Sequence, residues 1–206
     1  MAIRAPTQTR SKVTMERFIA AALRLVEAKR WEDISVAQLA AEAGSSVGAF
    51  YSRFGDKETL LEVLDDYYAG AMTDLLKEFA ATPPSTFASS VAALLGDLVQ
   101  LYDHHQGLIR TLVLTARNTE RTVYAANTRR MRDTVPAVVE RLQRCPDLPA
   151  GCDAAHLGTA LAFTFSALRE QILFPEAVPV RVRGKSQLIN LLARSFTGTT
   201  HALAET

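Results

Sequence analysis

Two short amphipathic segments that meet at Gly44 constrain this fold more than any other feature of the sequence. Ser35 and Gln38 have the three-residue spacing of a capping box, and Ile34 and Leu39 are placed to form a hydrophobic staple across it. This pattern predicts a short helix that begins after the serine and ends at the glycine. A glycine at that point suits a left-handed turn residue.

A second short helix is predicted directly after this turn. Ser46 is a candidate N-cap for a helix over residues 47–52, and Asp56 is a candidate cap for a longer one after Gly55. The small core that fixes the angle of the short helices is expected to comprise Leu39, Ala40, Ala43, Phe50 and Phe54. In front of them, apolar residues at spacings of three and four predict one buried stripe on a first helix, formed by Met15, Phe18, Ile19, Ala22, Leu23 and Val26.

The rest of the chain also favours helices over strands. Apolar periodicity predicts helices near 85–103, 106–116, 120–144, 153–173 and 185–202. Pro136 is expected to kink or interrupt the third of these. The predicted fold class is all-α. An N-terminal three-helix helix-turn-helix domain (residues 1–58) is joined by a long helix to a C-terminal helical bundle (59–206) that dimerises.

Positive charge is concentrated at the N-terminus. The chain has a formal net charge of +1, but residues 1–31 carry seven basic and two acidic side chains, which leaves −4 for the remainder. A basic end on a mildly acidic body suggests contact with a polyanion, although a solvated helix face explains the pattern as well. The polar start and the lack of an 18-residue apolar run favour a cytoplasmic protein without membrane contact. Two cysteines, Cys145 and Cys152, are too few for a disulfide scaffold, and a redox role for them stays open.

Two short helices joined by a turn and braced by longer helices form a helix-turn-helix arrangement, whose second helix enters the DNA major groove. The residues that start this second helix are small: Ser45, Ser46, Val47, Gly48 and Ala49. Small side chains allow the helix backbone to approach base edges, and a large residue at Gly48 would hold it away. Helix N-termini can also direct backbone N–H groups at phosphates.

Residues 16–61 resemble the TetR family of bacterial regulators. The matching elements are Ser-Val opening the second helix, an Ala-Gly turn, Ser-x-Gly, Tyr-x-x-Phe, and Lys-Glu before two leucines, all in SVAQLAAEAGSSVGAFYSRFGDKETLL. They occur in order and without gaps. Three positions depart from the family pattern: Arg30 stands in place of a glycine, Ser45 in place of an apolar residue, and Arg53 in place of an aromatic one.

The resemblance implies a homodimer that binds a near-palindromic double-stranded operator, as a repressor released by a small-molecule effector. It assigns phosphate contacts to Ser35, Tyr51 and Lys57. It assigns positions at or near the bases to Ser46, Val47, Gly48 and Ala49. Ser45, as a departure from the family pattern, either loosens the packing of the turn or frees a hydroxyl for DNA. Basic residues before the first helix form a plausible flexible arm: Arg4, Arg10 and Lys12. Alternatively, Ser35 and Ser46 are only helix caps, and Tyr51 only packs in the core.

In the family, the C-terminal body binds the effector and forms the dimer. Here the predicted dimer interface is an apolar stripe on the last two helices, formed by Leu161, Phe165, Leu168, Ile172, Leu188 and Leu192. The alternative is that this stripe only faces the core of the monomer. The residues proposed to line an effector pocket are His105, Arg117, Asn118, Phe163 and Arg169.

No cofactor or metal is expected, and the sequence does not favour an enzyme. It contains no nucleophile elbow, no phosphate-binding loop and no paired metal motif. Another alternative is a helix-turn-helix regulator controlled by a partner protein, with no small-molecule ligand. An apolar cavity behind residue 80 would favour a ligand, whereas a fully packed interior would favour the partner protein.

Overall fold

The computed structural model describes the backbone of residues 5–118 and 122–205 and the side chains of residues 12–116 and 133–205. Within these ranges the fold consists of nine α-helices and one 3-10 turn, with no strand. The predicted all-α fold class is therefore confirmed. The helices are α1 (Ala5–Ala28), α2 (Val36–Glu42), α3 (Val47–Phe54), α4 (Lys57–Ala81), α5 (Phe87–His104), α6 (Gln106–Asn118), α7 (Thr122–Gln143), α8 (Ala154–Leu173) and α9 (Lys185–Ala204).

The chain divides into two compact units. The first comprises Met1–Tyr68 and Gly107–Val123, and the second comprises Ala69–Gln106 and Tyr124–Thr206. This division and the predicted boundary after residue 58 both fall within the continuous helix α4, and the predicted boundary stays a prediction.

An aromatic cluster lies at the centre of the first unit. Phe18 of α1 meets Phe50 and Phe54 of α3 edge to face, with ring centroids 5.4 and 5.6 Å apart. All five residues of the predicted small core are buried in this cluster. The predicted α1 stripe is also confirmed, because its six residues are either buried there or packed against it.

Helix α6 belongs to the first unit although it is distant in sequence. Leu108 is fully buried in the same core. The backbone N–H of Gly107 donates to the Glu27 carboxylate at 3.0 Å, which connects the start of α6 to the end of α1. A Cβ on Gly107 would lie 2.4 Å from the carbonyl oxygen of Val26, so this approach requires glycine.

In the second unit, α9 packs against both α5 and α8. Phe87 of α5 and Phe196 of α9 are buried, with ring centroids 5.9 Å apart. Hydrogen bonds between distant residues fasten the helix ends. The backbone N–H of Phe87 donates to Asp147 at 2.6 Å, and the Gln106 amide donates to the carbonyl of Ile172 at 2.7 Å.

The five predicted C-terminal helices start and end within two residues of those observed. The predicted interruption at Pro136 is wrong, because α7 continues through it. Proline removes one backbone donor from a helix, and in a helix of 22 residues the remaining turns keep their own hydrogen bonds.

None of the helices in the described part of the chain has the length and apolar character needed to cross a membrane.

Candidate nucleic-acid interface

Reciprocal hydrogen bonds fix the start of α2. The Ser35 hydroxyl accepts from the backbone N–H of Gln38 at 3.2 Å, and the Gln38 side chain accepts from the backbone N–H of Ser35 at 2.8 Å. Ile34 and Leu39, the predicted staple, are both buried. The capping box predicted from the sequence is therefore confirmed.

The turn after α2 is closed by the backbone. Gly44 has a φ of +57°, in the left-handed region that favours glycine. The N–H of Ser45 then donates to the carbonyl of Ala40 at 2.9 Å, as in a Schellman-type helix end. The chain thus reverses within a few residues and enters α3.

Helix α3 is capped at its start and anchored by one face. The Ser46 hydroxyl accepts from the backbone N–H of Ala49 at 3.1 Å, so the predicted cap is confirmed. On the inward face, Phe50 and Phe54 pack against Phe18. Because Phe18 meets both rings of α3 edge to face, the orientation of α3 about its own axis is set by packing.

The opposite face of α3 is open and uncharged. Val47 is 41% exposed and Tyr51 is 52% exposed. Residues 43–55 contain no acidic side chain, so nothing in this segment repels a phosphate backbone. The exposure of Tyr51 also argues against the alternative that it only packs in the core. We call this surface the α3 face; its exposed residues are Ser46, Val47, Gly48, Tyr51 and Ser52.

Gly48 leaves the middle of the α3 face flat. A Cβ at this position would meet only the Ser46 hydroxyl, at 3.9 Å. The absence of a side chain here is therefore not required by packing within the protein. It allows another surface to approach the helix backbone closely.

Lys57 has a structural role that the sequence did not indicate. Its ammonium donates to the carbonyl oxygens of Trp31 and Ile34, at 2.5 and 2.7 Å, and lies 4.7 Å from the centroid of the Trp31 ring. Partial burial lowers the pKa of Lys57. The ammonium is thus bonded to the turn between α1 and α2 and acts as a positioning group, and the predicted phosphate contact stays a prediction.

The remaining predicted DNA contacts are placed as follows. Ser35 is exposed at the start of α2, whereas Ser45 and Ala49 are half-buried. Lys12 is exposed, 3.9 Å from Glu16 on the same helix. The side chains of Arg4 and Arg10 lie outside the described residues. All of these contacts stay predictions.

An ion pair between α1 and α2 was missed by sequence analysis. The Arg24 guanidinium lies 2.6 Å from the Glu42 carboxylate and also donates to the Glu42 carbonyl at 3.3 Å. The two residues are 18 positions apart on different helices, so no local spacing marks them as partners. The contact adds a second constraint on the angle between these helices.

The structure describes the side chains of three of the five predicted pocket residues. His105 is buried, and burial together with the neighbouring His104 lowers its pKa. Phe163 is 66% exposed, and its assignment to a pocket stays a prediction. Arg169 is half-buried, 3.6 Å from Glu170. The side chains of Arg117 and Asn118 lie outside the described residues.

The predicted dimer stripe faces mainly inward. Four of its six members are buried inside the second unit, in which α9 packs against both α5 and α8: Leu161, Leu168, Leu188 and Leu192. Phe165 and Ile172 are half-buried. For these four leucines, the alternative that the stripe faces the core of the monomer fits the structure, and their assignment to an interface is corrected.

Comparisons with known proteins agree with this geometry. Residues 18–64 match the family model described as bacterial regulatory proteins, tetR family. An uncharacterized HTH-type transcriptional regulator of Bacillus subtilis, YerO, is 36% identical over 73 residues, which are 34% of this chain and 25% of YerO. The match thus spans about a quarter of the length of that curated relative.

Solved structures show the same fold along most of the chain. The TetR-family regulator PfmR from Thermus thermophilus superimposes with a TM-score of 0.65 at 17% identity, covering 90% of this chain and 97% of PfmR. The regulator FadR from Bacillus subtilis, solved in complex with stearoyl-CoA, gives 0.65 at 15% identity with the same coverage. Residues 18–64 thus resemble the N-terminal segment of tetR-family regulators, and most of the chain shares the fold of the solved regulators.

Proposed function

We propose that this protein is a cytoplasmic, sequence-specific DNA-binding regulator that uses the α3 face to contact the major groove. The observation that carries the proposal is the contrast between the two sides of α3. One side is locked by aromatic packing, and the other presents small, uncharged, exposed residues around Gly48. A helix of this shape approaches base edges closely, which direct readout requires.

Phosphate contacts would position α3 on the duplex. The exposed Ser35 and Tyr51 hydroxyls and the capped helix starts supply donors. Lys57 contributes indirectly, because it ties the start of α4 to the turn before α2. The basic arm predicted before α1 would add a contact that weakens as salt concentration rises.

The regulator would act as a homodimer on a near-palindromic operator, because two copies related by a two-fold axis place their recognition helices on successive turns of the duplex. The apolar side chains available to a second copy are those that α8 and α9 leave exposed. Phe163 on α8 and Leu191 on α9, which is 49% exposed, are the largest of these. Sedimentation of the wild type and of Phe163→Glu tests this placement; a monomeric variant is expected.

Control by a small-molecule effector, with repression as the resting state, completes the proposal. FadR, which shares the fold, was solved with stearoyl-CoA bound. The second unit of this chain contains a groove of about 830 Å³, a size typical of ligand sites. Control by a partner protein without a small-molecule ligand remains the alternative. The relatives that match are named as regulators, which supports a non-enzymatic role.

The decisive experiment measures operator binding by Gly48→Leu. The probe is the DNA that flanks the protein's own gene, followed by fluorescence anisotropy. Since a side chain at Gly48 meets open space, the variant should fold normally and lose at least about 100-fold in affinity, as a misfitted recognition helix loses several base contacts. Gly70→Leu is the matched control, because Gly70 is also helical, exposed and unobstructed.

Normal operator binding by a folded Gly48→Leu protein would overturn the assignment of the α3 face. Equal losses in the Gly48 and Gly70 variants would also overturn it, because the effect would then come from leucine on any helix surface.

A further inference from the structure

The groove in the second unit carries more negative charge than its surroundings neutralise. It is lined by residues of α4, α5 and α7 and by Lys185 at the start of α9. Among the described residues, Lys185 pairs with Asp103 at 2.6 Å, and no cation is within ion-pair distance of the other three lining carboxylates: Asp74, Glu78 and Asp97. We call this site the carboxylate groove.

Two of these carboxylates, Asp97 and Glu78, repel each other. Asp97 is exposed, but partial desolvation raises its pKa, and the negative charge of Glu78 raises it further. Like charges held close together without a counter-ion destabilise the folded protein. A cation bound between the two carboxylates would reduce this repulsion.

A second, independent feature points to an oxygen acceptor. Arg141 also lines the groove and is only 3% exposed. Its Nε donates to the carbonyl of Thr82 at 2.9 Å and its Nη2 to that of Pro83 at 3.3 Å, while the guanidinium lies 3.9 Å from the centroid of the Phe79 ring. Its Nη1 is buried and donates to no described atom. Buried donors are nearly always satisfied, so an Nη1 without a partner among the described residues is available to a ligand oxygen.

The groove also contains hydrocarbon surface. Leu75, Phe79 and Leu101 line it beside the charged groups. Hard metal ions prefer sites made of oxygen ligands alone. An organic cation instead uses apolar and charged walls together.

We propose that the carboxylate groove binds an amphipathic organic amine. Its ammonium group contacts Asp97 and Glu78, its hydroxyl or carbonyl oxygen accepts from Nη1 of Arg141, and its hydrocarbon part lies along Leu75 and Leu101. The inference names the chemistry of the effector and, for its regulatory meaning, rests on the proposed function. Binding itself is measured without DNA.

The test is calorimetric titration of the full chain with 8-amino-1-octanol. Octylamine lacks the oxygen, 1-octanol lacks the charge and octanoate reverses it, so these three probes, with Mg²⁺ as a fourth, separate the contributions. The amino alcohol should bind at least about tenfold more tightly than each of them, because each lacks one charged hydrogen bond or carries the wrong charge.

Asp97→Asn should weaken the amino alcohol about tenfold, since it removes the charge that faces the ammonium. The same variant should melt at an equal or slightly higher temperature, so that lost binding does not reflect unfolding. Glu140→Gln is the matched control. Glu140 is exposed on α7 next to Arg141 in sequence but does not line the groove, and its removal should leave affinity unchanged.

Several results would overturn the inference: no binding of the amino alcohol at about 1 mM, equal affinity in Asp97→Asn, tighter binding of octanoate, or binding of Mg²⁺ alone. Failure of the proposed function looks different. If the amino alcohol binds as expected but leaves operator DNA bound, the ligand class of the groove stands and the effector role fails.

Discussion

The segment around α2 and α3 and the second unit both cap their helices locally, but the second unit adds hydrogen bonds between residues much further apart in sequence. The starts of α2, α3 and α4 are capped by bonds between residues three positions apart, from Ser35, Ser46 and Asp56. In the second unit, the bonds of Arg141 to Thr82 and of Phe87 to Asp147 join residues 59 and 60 positions apart. Local bonds fix a short surface element within its own sequence, whereas distant bonds make the packing of one helix depend on several others.

The two regions also differ in the balance of their charged side chains. The α3 face has no acidic side chain, and the nearby Lys57 is bonded to backbone carbonyls. The carboxylate groove keeps Glu78 and Asp97 close together without a cation. A preorganised neutral surface suits DNA, which brings its own charge, and an unbalanced groove suits a ligand that supplies the missing charge.

Removal of the Phe50 ring, which holds the inward side of α3, should have the largest effect of the changes considered. Phe50→Ala removes a fully buried ring that contacts Phe18 and Phe54, and we expect a cost of about 3–5 kcal/mol in unfolding free energy. Tyr51→Ala, on the exposed face of the same helix, should stay within about 0.5 kcal/mol. Urea denaturation followed by circular dichroism measures both. Similar losses in the two variants would mean that α3 is not anchored by one side.

A glycine pair tests the distant contact within the first unit. Gly107→Ala places a Cβ 2.4 Å from the carbonyl oxygen of Val26, and we expect destabilisation of about 1–3 kcal/mol. Gly70→Ala meets open space and should stabilise α4 by about 0.5–1 kcal/mol. Opposite signs in the same denaturation assay are the expected result. A stabilising Gly107→Ala would show that α6 does not approach α1 this closely.

The Ser46 cap separates stability from DNA contact. Ser46→Ala should cost about 1 kcal/mol, because the N–H of Ala49 loses its acceptor. Ser46→Asp keeps a good cap and should retain stability, yet it should bind operator DNA less tightly because a carboxylate then faces phosphate. Denaturation and anisotropy are read side by side. Full operator affinity in Ser46→Asp would place Ser46 away from the duplex.

The smallest expected effect is a pH dependence from Asp97. Its pKa in the folded state lies above the ordinary value of 3.8. As pH rises from 3.8 through the folded-state pKa, unfolding releases a proton, so this group's contribution to stability falls and then levels off. The stability advantage of Asp97→Asn over the wild type should grow across that window and stay below about 0.5 kcal/mol, since Asp97 is exposed. If the unfolding free energies of the two proteins changed in parallel with pH, this would contradict repulsion between the Asp97 and Glu78 carboxylates.

Sequence analysis predicted what depends on neighbouring residues. The capping box of Ser35 and Gln38 and the turn at Gly44 are encoded within ten residues, and both are present. It did not predict the partners of Lys57 or the pair of Arg24 and Glu42, because these depend on how separate helices meet.

The inward face of α8 and α9 illustrates the same limit. Helices that are apolar on more than one side do not reveal from their own sequence which side a neighbour covers. The stripe through Leu161 and Leu188 was therefore assigned to a second copy, although it packs within the second unit. The carboxylate groove was missed for the same reason, since its lining comes from helices that are distant in sequence.

The burial of Leu108 in the core around Phe18 and Phe50 has a practical consequence for protein engineering. A fragment cut after residue 68 would leave an unfilled cavity where this leucine belongs, at a cost typical of large-to-small core changes. A chimera that transplants the DNA-contacting helices onto another scaffold therefore needs two splice sites rather than one, so that the segment from Gly107 onward travels with them.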